Sequence, residues 1–113
     1  MSDVKLIDVQ DALKRVMNNG KLYAKLLTKF KGDTNLKELE EALAAENLEN
    51  AKSSVHTLKG LAANLSLVEL HKQCLEMENQ IKANTINPGQ LDEVKKAFSV
   101  TLEEVDKVIK QYE

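Results

Sequence analysis

The stretch SSVHTLKGLAANL, from Ser53 to Leu65, decides the fold prediction because its apolar residues recur at the spacing of an amphipathic helix. On a helical wheel turned by about 100° per residue, the apolar stripe consists of Ala51, Val55, Leu58, Ala62 and Leu65. His56 lies about 150° from the centre of that stripe, so we expect it to face solvent. Gly60 follows in the next turn, although glycine inside a helix costs about 1 kcal/mol relative to alanine. We therefore expect that position to require the absence of a side chain.

The composition favours one all-helical domain. The chain has 113 residues, enough for a single modest core, and we predict one domain spanning residues 1–113. Hydrophobic residues make up 42% and charged residues 30%, which indicates a globular rather than a disordered chain. Only four Gly and one Pro are present, while Leu, Ala, Lys and Glu, all good helix formers, dominate.

Charge and cysteine content exclude several classes of protein. The net charge is −2 with both signs interspersed, so the basic footprint of a nucleic-acid-binding protein is missing. Apolar runs are too short for a membrane span, and the stretch MSDVKLIDVQ lacks the apolar core of a signal peptide. Cys74 is the only cysteine, so no internal disulfide can form and a reducing compartment is expected. These observations predict a cytoplasmic protein that binds neither nucleic acid nor membrane.

Hydrophobic periodicity predicts six helices joined by short connections. The predicted helices run from Val9 to Asn18, from Lys21 to Phe30, from Asn35 towards Asn47, from Leu48 to Leu65, from Leu67 to Ala83, and from Pro88 onwards. The predicted N-terminal caps are Asp8, Asn35 with Glu38 in capping-box spacing, Asn47 and Asn87. Gly20 is expected to separate the first two helices. The predicted fold is an antiparallel four-helix bundle of the last four helices, with two shorter N-terminal helices packed at one end.

The surroundings of His56 suit phosphate chemistry. Its helical neighbours are Lys52, Lys59, Gly60 and Ala63. An exposed imidazole is largely neutral at cytoplasmic pH and is therefore nucleophilic. Lys59 places a positive charge at the distance of a group attached to the ring, and the two small side chains allow close approach of a partner. A lone exposed histidine is more often an ordinary surface residue, so the residues alone leave both interpretations open.

A family resemblance favours the phosphate interpretation. AKSSVHTLKGLAANL resembles the phosphoacceptor helix of histidine-containing phosphotransfer (Hpt) domains, whose signature is His-x-x-Lys-Gly. IDVQDALKRVMNNGKLYAKLLTKF is similar to the opening helices of that family, and LVELHKQCLEMENQI is similar to the helix that pairs with the histidine helix. The family usually has Gly where this chain has Ser66, and because serine can form the same turn we expect only a local change.

The resemblance implies a role for each residue of the motif. His56 would be the phosphoacceptor, Lys59 would lie beside the phosphoryl group, and Gly60 would clear the approach of the partner domain. Glu78, 22 residues after the histidine, would bond the imidazole nitrogen that is not phosphorylated. The chain would then be a monomeric relay intermediate of two-component signalling, without ATP-dependent activity or a cofactor of its own. Its expected partners are receiver domains, which would supply Mg²⁺, and a hybrid sensor histidine kinase.

Two other functions remain open at this point. The chain could be an interaction module that binds a receiver or another signalling partner without carrying phosphate, or a structural bundle with an incidental histidine. A metal site at His71 and Glu78 is disfavoured because two ligands do not make a site. Cys74 and Met77 lie on the apolar stripe of their helix and are expected to be buried. Receiver docking is expected at the patch around His56, assisted by apolar residues of the first helix.

Overall fold

The computed structural model describes residues 5–113, which form six α-helices and no strand. The helices are α1 Val9–Arg15, α2 Gly20–Lys31, α3 Asn35–Ala44, α4 Leu48–Asn64, α5 Val68–Ala83 and α6 Gln90–Tyr112. The predicted all-helical class is therefore confirmed. Residues 1–4 lie outside the described residues. They belong to the predicted domain of residues 1–113 and to the stretch MSDVKLIDVQ, which is predicted not to be a signal peptide.

Helices α3 to α6 each pack against the next helix along the chain. Lys95 of α6 forms an ion pair with Glu40 of α3 at 3.2 Å. Helix α2 packs along α6, where the rings of Phe30 and Phe98 have centroids 5.6 Å apart. The predicted division into four long and two short helices differs in detail, because α2 has 12 residues and α3 has 10.

The core lies between the facing stripes of these helices. Every residue of the predicted α4 stripe is buried, from Ala51 to Leu65. The largest buried side chains that meet it from the other elements are Tyr23, Leu27, Leu39, Leu67, Leu70, Met77, Val94 and Val105. Cys74 and Met77 are both fully buried, as their spacing predicted, and burial raises the pKa of the Cys74 thiol to about 12. The α4 stripe therefore fixes which face of that helix is left to solvent.

Two helix starts follow the predicted caps. The side chain of Asp8 accepts a hydrogen bond from the backbone N–H of Asp11 at 3.1 Å, and Asn47 caps α4 in the same way. The predicted break between the first two helices is present, but it ends just before Gly20, because Asn19 caps α2 and Gly20 is its first helical residue. The first helix is shorter than predicted, since the backbone turns left-handed immediately after it at positions 17 and 18.

The predicted starts of α3 and α6 need correction. Helix α3 begins at Asn35, but Thr34 is the cap residue and its hydroxyl donates to the carboxylate of Glu38 at 2.7 Å. Helix α6 begins at Gln90, with Pro88 in the preceding turn rather than at the first helical position. Asn87 is not its cap, because Gly89 occupies the cap position. The backbone N–H of Asn87 donates to the side chain of Gln80 on α5 at 2.9 Å.

The turn between α4 and α5 sets the register of the paired helices. Ser66 has a φ of 59°, and the N–H of Leu67 donates back to the carbonyl of Ala62 at 2.8 Å, a Schellman-type ending. The Ser66 hydroxyl donates to the carboxylate of Asp11 at 2.7 Å, and its carbonyl accepts from the N–H of Asp8 at 2.9 Å. The serine therefore keeps the turn that glycine would make and ties it to α1.

Candidate functional site

His56 lies on the outer face of α4, opposite the buried stripe. Its side chain is 68% exposed, in agreement with the wheel. One ring nitrogen, Nδ1, is 2.8 Å from Oε2 of Glu78. Since that contact occupies Nδ1, the remaining ring nitrogen, Nε2, is the atom available to a reaction partner.

Glu78 reaches His56 because α4 and α5 pack side by side. Although charged, Glu78 is buried, with 2% of its surface exposed. The contact between Glu78 and the imidazole that the resemblance implied is present in the structure, while its part in phosphotransfer remains a prediction. A buried carboxylate is costly unless it is paired and hydrogen-bonded.

Lys59 provides the closest pairing of that carboxylate. Its Nζ donates to Oε1 of Glu78 at 2.6 Å, and its side chain is only 22% exposed. Lys82, one turn after Glu78 on α5, places its Nζ 3.8 Å from Oε2. Sequence reasoning missed both ion pairs, although the spacing of four between Glu78 and Lys82 is a recognised signal for the second.

The charge of Glu78 determines the tautomer of His56. Burial alone would raise the pKa of this carboxyl, but hydrogen bonds from Lys59 and His56, together with the nearby Lys82, hold it below its usual value of 4.5. The ionised carboxylate can only accept hydrogen bonds, so Nδ1 of the ring must be the donor. Nε2 then carries the free lone pair of the neutral ring.

Gly60 leaves open space beside the histidine. A Cβ built on Gly60 would meet no atom within 4 Å, so the fold itself does not require glycine there. Ala63, seven residues after His56, lines a cavity of about 240 Å³ together with Asp11 and Arg15 of α1. The surface beside His56 is therefore open at Gly60, and at Ala63 it borders a cavity shared with the first helix.

The apolar residues of the first helix, which are expected to assist receiver docking, are partly exposed, and that role stays a prediction. Val9, Leu13 and Val16 are half-buried and pack against the core. The large apolar side chain exposed near them is Met17, which follows α1 and is 90% exposed. The most exposed large apolar side chain of this region therefore lies in the connection after the helix.

A comparison with protein-family models identifies the family. The model of the Hpt domain matches residues 26–109, a span that begins within α2 and contains the whole of α3, α4 and α5. This chain belongs to the Hpt domain family. Hpt domains are histidine phosphotransfer modules of two-component phosphorelays rather than enzymes with a catalytic activity of their own, and they interact with receiver domains of response regulators. Searches of curated proteins and of solved structures found no match to this chain.

The part of this Hpt domain that the structure describes holds neither a metal-ligand cluster nor a membrane-spanning helix. Within residues 5–113, no three His, Cys, Asp or Glu side chains are grouped so that they could hold a metal ion. His71 lies at the cavity beside α1, with Asp11 and Arg15. No helix in the described range has the length and apolar character needed to cross a bilayer.

Proposed function

We propose that His56 is the phosphoacceptor of this Hpt domain. It receives a phosphoryl group at Nε2 from the aspartyl phosphate of one receiver domain and passes it to the aspartate of another. The single observation that carries this proposal is the pairing of an exposed imidazole with a buried carboxylate through Nδ1. In the neutral ring that pairing places the proton on Nδ1 and leaves the lone pair on the outward nitrogen, which is the form a nucleophile requires.

The chemical step needs no proton transfer within this chain. The lone pair of Nε2 attacks phosphorus, a P–N bond forms, and the P–O bond to the receiver aspartate breaks with its carboxylate as leaving group. The ring becomes positively charged while Nδ1 keeps its proton, and the carboxylate of Glu78 at 2.8 Å stabilises that charge. Transfer to the second receiver is the same step in reverse.

The neighbouring residues support in-line approach and charge neutralisation. Phosphoryl transfer depends mainly on positioning and electrostatic stabilisation. Lys59 supplies a positive charge from this chain to the phosphoryl group, and the receiver domain supplies Mg²⁺. Gly60 and Ala63 allow the receiver to approach Nε2 closely, since Gly60 has nothing within 4 Å of a Cβ position. In this proposal the domain acts as a monomer, with a hybrid sensor histidine kinase as a further partner.

The test is to mix the purified protein with receiver domains that already carry phosphate. We expect label on the wild type that is acid-labile and alkali-stable, as phosphohistidine is, and none on His56→Gln. His71→Gln is the matched control, because it removes the other histidine of the chain and should leave the label unchanged. Label that persists on His56→Gln would refute the assignment. A folded wild type that binds a receiver yet takes up no phosphate would instead favour the interaction module.

A further inference from the structure

Lys82 lies beside the carboxylate of Glu78 without yet bonding it. Its Nζ is 3.8 Å from Oε2, beyond hydrogen-bond distance, and its side chain is 54% exposed. Lys59, in contrast, is bonded to Oε1 at 2.6 Å. The buried carboxylate of Glu78 is thus hydrogen-bonded to a lysine of α4 and lies close to a lysine of α5 that is not hydrogen-bonded to it.

The proposed reaction draws Lys59 away from this carboxylate. A phosphoryl group on Nε2 of His56 carries up to two negative charges, more than the single charge of Glu78. The ammonium of Lys59 is therefore attracted to the phosphoryl oxygens when His56 is phosphorylated. If it moved alone, Glu78, with a side chain 3% exposed, would lose its closest cationic partner, and an unpaired buried carboxylate is unfavourable.

We infer that Lys82 is a positioning residue that takes over the carboxylate of Glu78 as Lys59 turns towards the phosphoryl group. This inference rests on the proposed function of His56. The exchange needs Lys82 to close by about 1 Å to reach charge-assisted hydrogen-bond distance. Its exposed, four-carbon side chain permits that movement.

The exchange makes Lys82 act only through Glu78 and Lys59. Without the charge of Lys82, Glu78 holds Lys59 more firmly, and less of the lysine charge is available to the incoming phosphoryl group. With glutamine at position 78, no carboxylate retains Lys59, so Lys82 has nothing to relieve. With glutamine at position 59, no ammonium remains to be released. Lys82 should therefore matter only while the other two side chains are both present.

The experiment uses the full chain and phosphoramidate, a small phosphodonor that needs no docking surface. In this reaction the P–N bond of phosphoramidate breaks, ammonia leaves and the P–N bond to His56 forms. We expect Lys82→Gln to slow phosphorylation about two- to fivefold, the range of a half-exposed ion pair, and Lys82→Arg to restore most of the rate. In Glu78→Gln or Lys59→Gln backgrounds, adding Lys82→Gln should change the rate less than twofold. Phosphorylation is followed by ³¹P NMR, and thermal unfolding verifies that each variant folds.

Each contrary result overturns a distinct claim. An unchanged rate for Lys82→Gln in a phosphorylated wild type overturns this inference and leaves the proposed function intact. A slowing that persists in the Glu78→Gln background means that Lys82 acts directly on the donor, which also overturns it. A wild type that accepts phosphate on no histidine, from phosphoramidate or from receivers, overturns the proposed function and this inference with it.

Discussion

The imidazole of His56 and the carboxylate of Glu78 meet at 2.8 Å although the first side chain is 68% exposed and the second only 3%. The pair therefore joins a solvent-facing reactive group to an anchor inside the bundle. Because the anchor is charged and buried, it sets both the orientation of the ring and the position of its proton. The buried carboxylate of Glu78 thus fixes the state of the exposed imidazole of His56.

Removing the anchor should change the tautomer of His56. We expect Glu78→Ala to lower the population of the Nδ1–H form, measured by ¹⁵N NMR of the ring, and to slow phosphorylation by phosphoramidate about tenfold or more. Glu78→Gln is the control, because its amide oxygen can still accept from Nδ1 and should preserve most of that tautomer. Identical ring spectra for wild type and Glu78→Ala would show that the carboxylate does not set the tautomer.

The same carboxylate should make stability depend on pH. Its pKa in the folded protein is below the usual 4.5, so the folded state releases this proton more readily than the unfolded chain. The stabilisation from Lys59, His56 and Lys82 is therefore fully present above that usual value and is lost as the pH falls through the lower folded-state value. We expect the difference in free energy of unfolding between wild type and Glu78→Gln to favour wild type at about pH 7 and to shrink towards about pH 3.

Urea unfolding of both proteins across that range measures the difference directly. The glutamine variant serves as the reference because all other titrating groups are shared. A difference that stays constant with pH would mean that the carboxylate is not the source of the stabilisation. A difference that grows as the pH falls from 4.5 to about 3 would contradict the direction of the pKa shift.

Substitutions of Gly60 should affect folding stability and receiver docking in different ways. Since a Cβ there meets nothing within 4 Å, Gly60→Ala should raise the free energy of unfolding by about 0.5–1 kcal/mol. Gly60→Gln should fold equally well and accept phosphate from phosphoramidate at the wild-type rate, yet slow transfer from a phosphorylated receiver at least tenfold. Equal receiver rates for wild type and Gly60→Gln would show that the missing side chain is not needed for docking.

The buried face of α4 was predictable and its partner contacts were not. The spacing of Val55, Leu58 and Ala62 defines a stripe from local sequence alone, and the exposure of His56 follows from it. The pairing of His56 with Glu78 depends on the register of two helices, which the left-handed turn at Ser66 sets. That pairing came from family resemblance, because periodicity carries no information on inter-helical register.

Two predicted helix ends differ from the ends in the structure, the start of α6 and the end of α1. Asn87 followed by Pro88 has the pattern of a helix start, but the side chain of Gln80 binds the Asn87 N–H and the helix begins later. After the end of α1, Met17 adopts a left-handed φ of 56°. A methionine in the sequence does not predict this conformation, which glycine adopts far more readily. The turn after α1 is closed locally, by the N–H of Asn18 donating to the carbonyl of Leu13 at 2.7 Å, and Met17 itself is 90% exposed.

A buried hydroxyl on α6 offers a test of core packing. Thr101 is fully buried, and its Oγ1 has no hydrogen-bond partner among the described residues. Valine has nearly the same shape without the unsatisfied polar atom, so Thr101→Val should raise the free energy of unfolding by about 1 kcal/mol. Thr28→Val is the matched control, since the Thr28 hydroxyl donates to the carbonyl of Ala24 at 2.8 Å and its removal should bring no such gain. A destabilised Thr101→Val would indicate a partner for this hydroxyl.

The turn at Ser66 allows its two structural features to be separated. Its φ of 59° disfavours any residue with a Cβ, and its hydroxyl bonds Asp11 at 2.7 Å. Ser66→Gly and Ser66→Ala both lose that bond, but only glycine relieves the left-handed backbone. We therefore expect Ser66→Gly to exceed Ser66→Ala in free energy of unfolding by about 1 kcal/mol.

The loss of the hydroxyl has its own signature at Asp11. The hydrogen bond from Ser66 is the main cause that lowers the pKa of Asp11 below its usual 3.8, with Arg15 as the next. In both variants we expect that pKa to move upwards, measured by ¹³C NMR of the carboxyl carbon. Equal stabilities for the two variants would contradict the backbone argument, whereas an unmoved Asp11 pKa would contradict the hydrogen bond. The difference in stability and the pKa of Asp11 can therefore be contradicted independently. The first tests the left-handed turn that sets the α4–α5 register, and the second tests the hydrogen bond between Ser66 and Asp11 that holds α1 beside that turn.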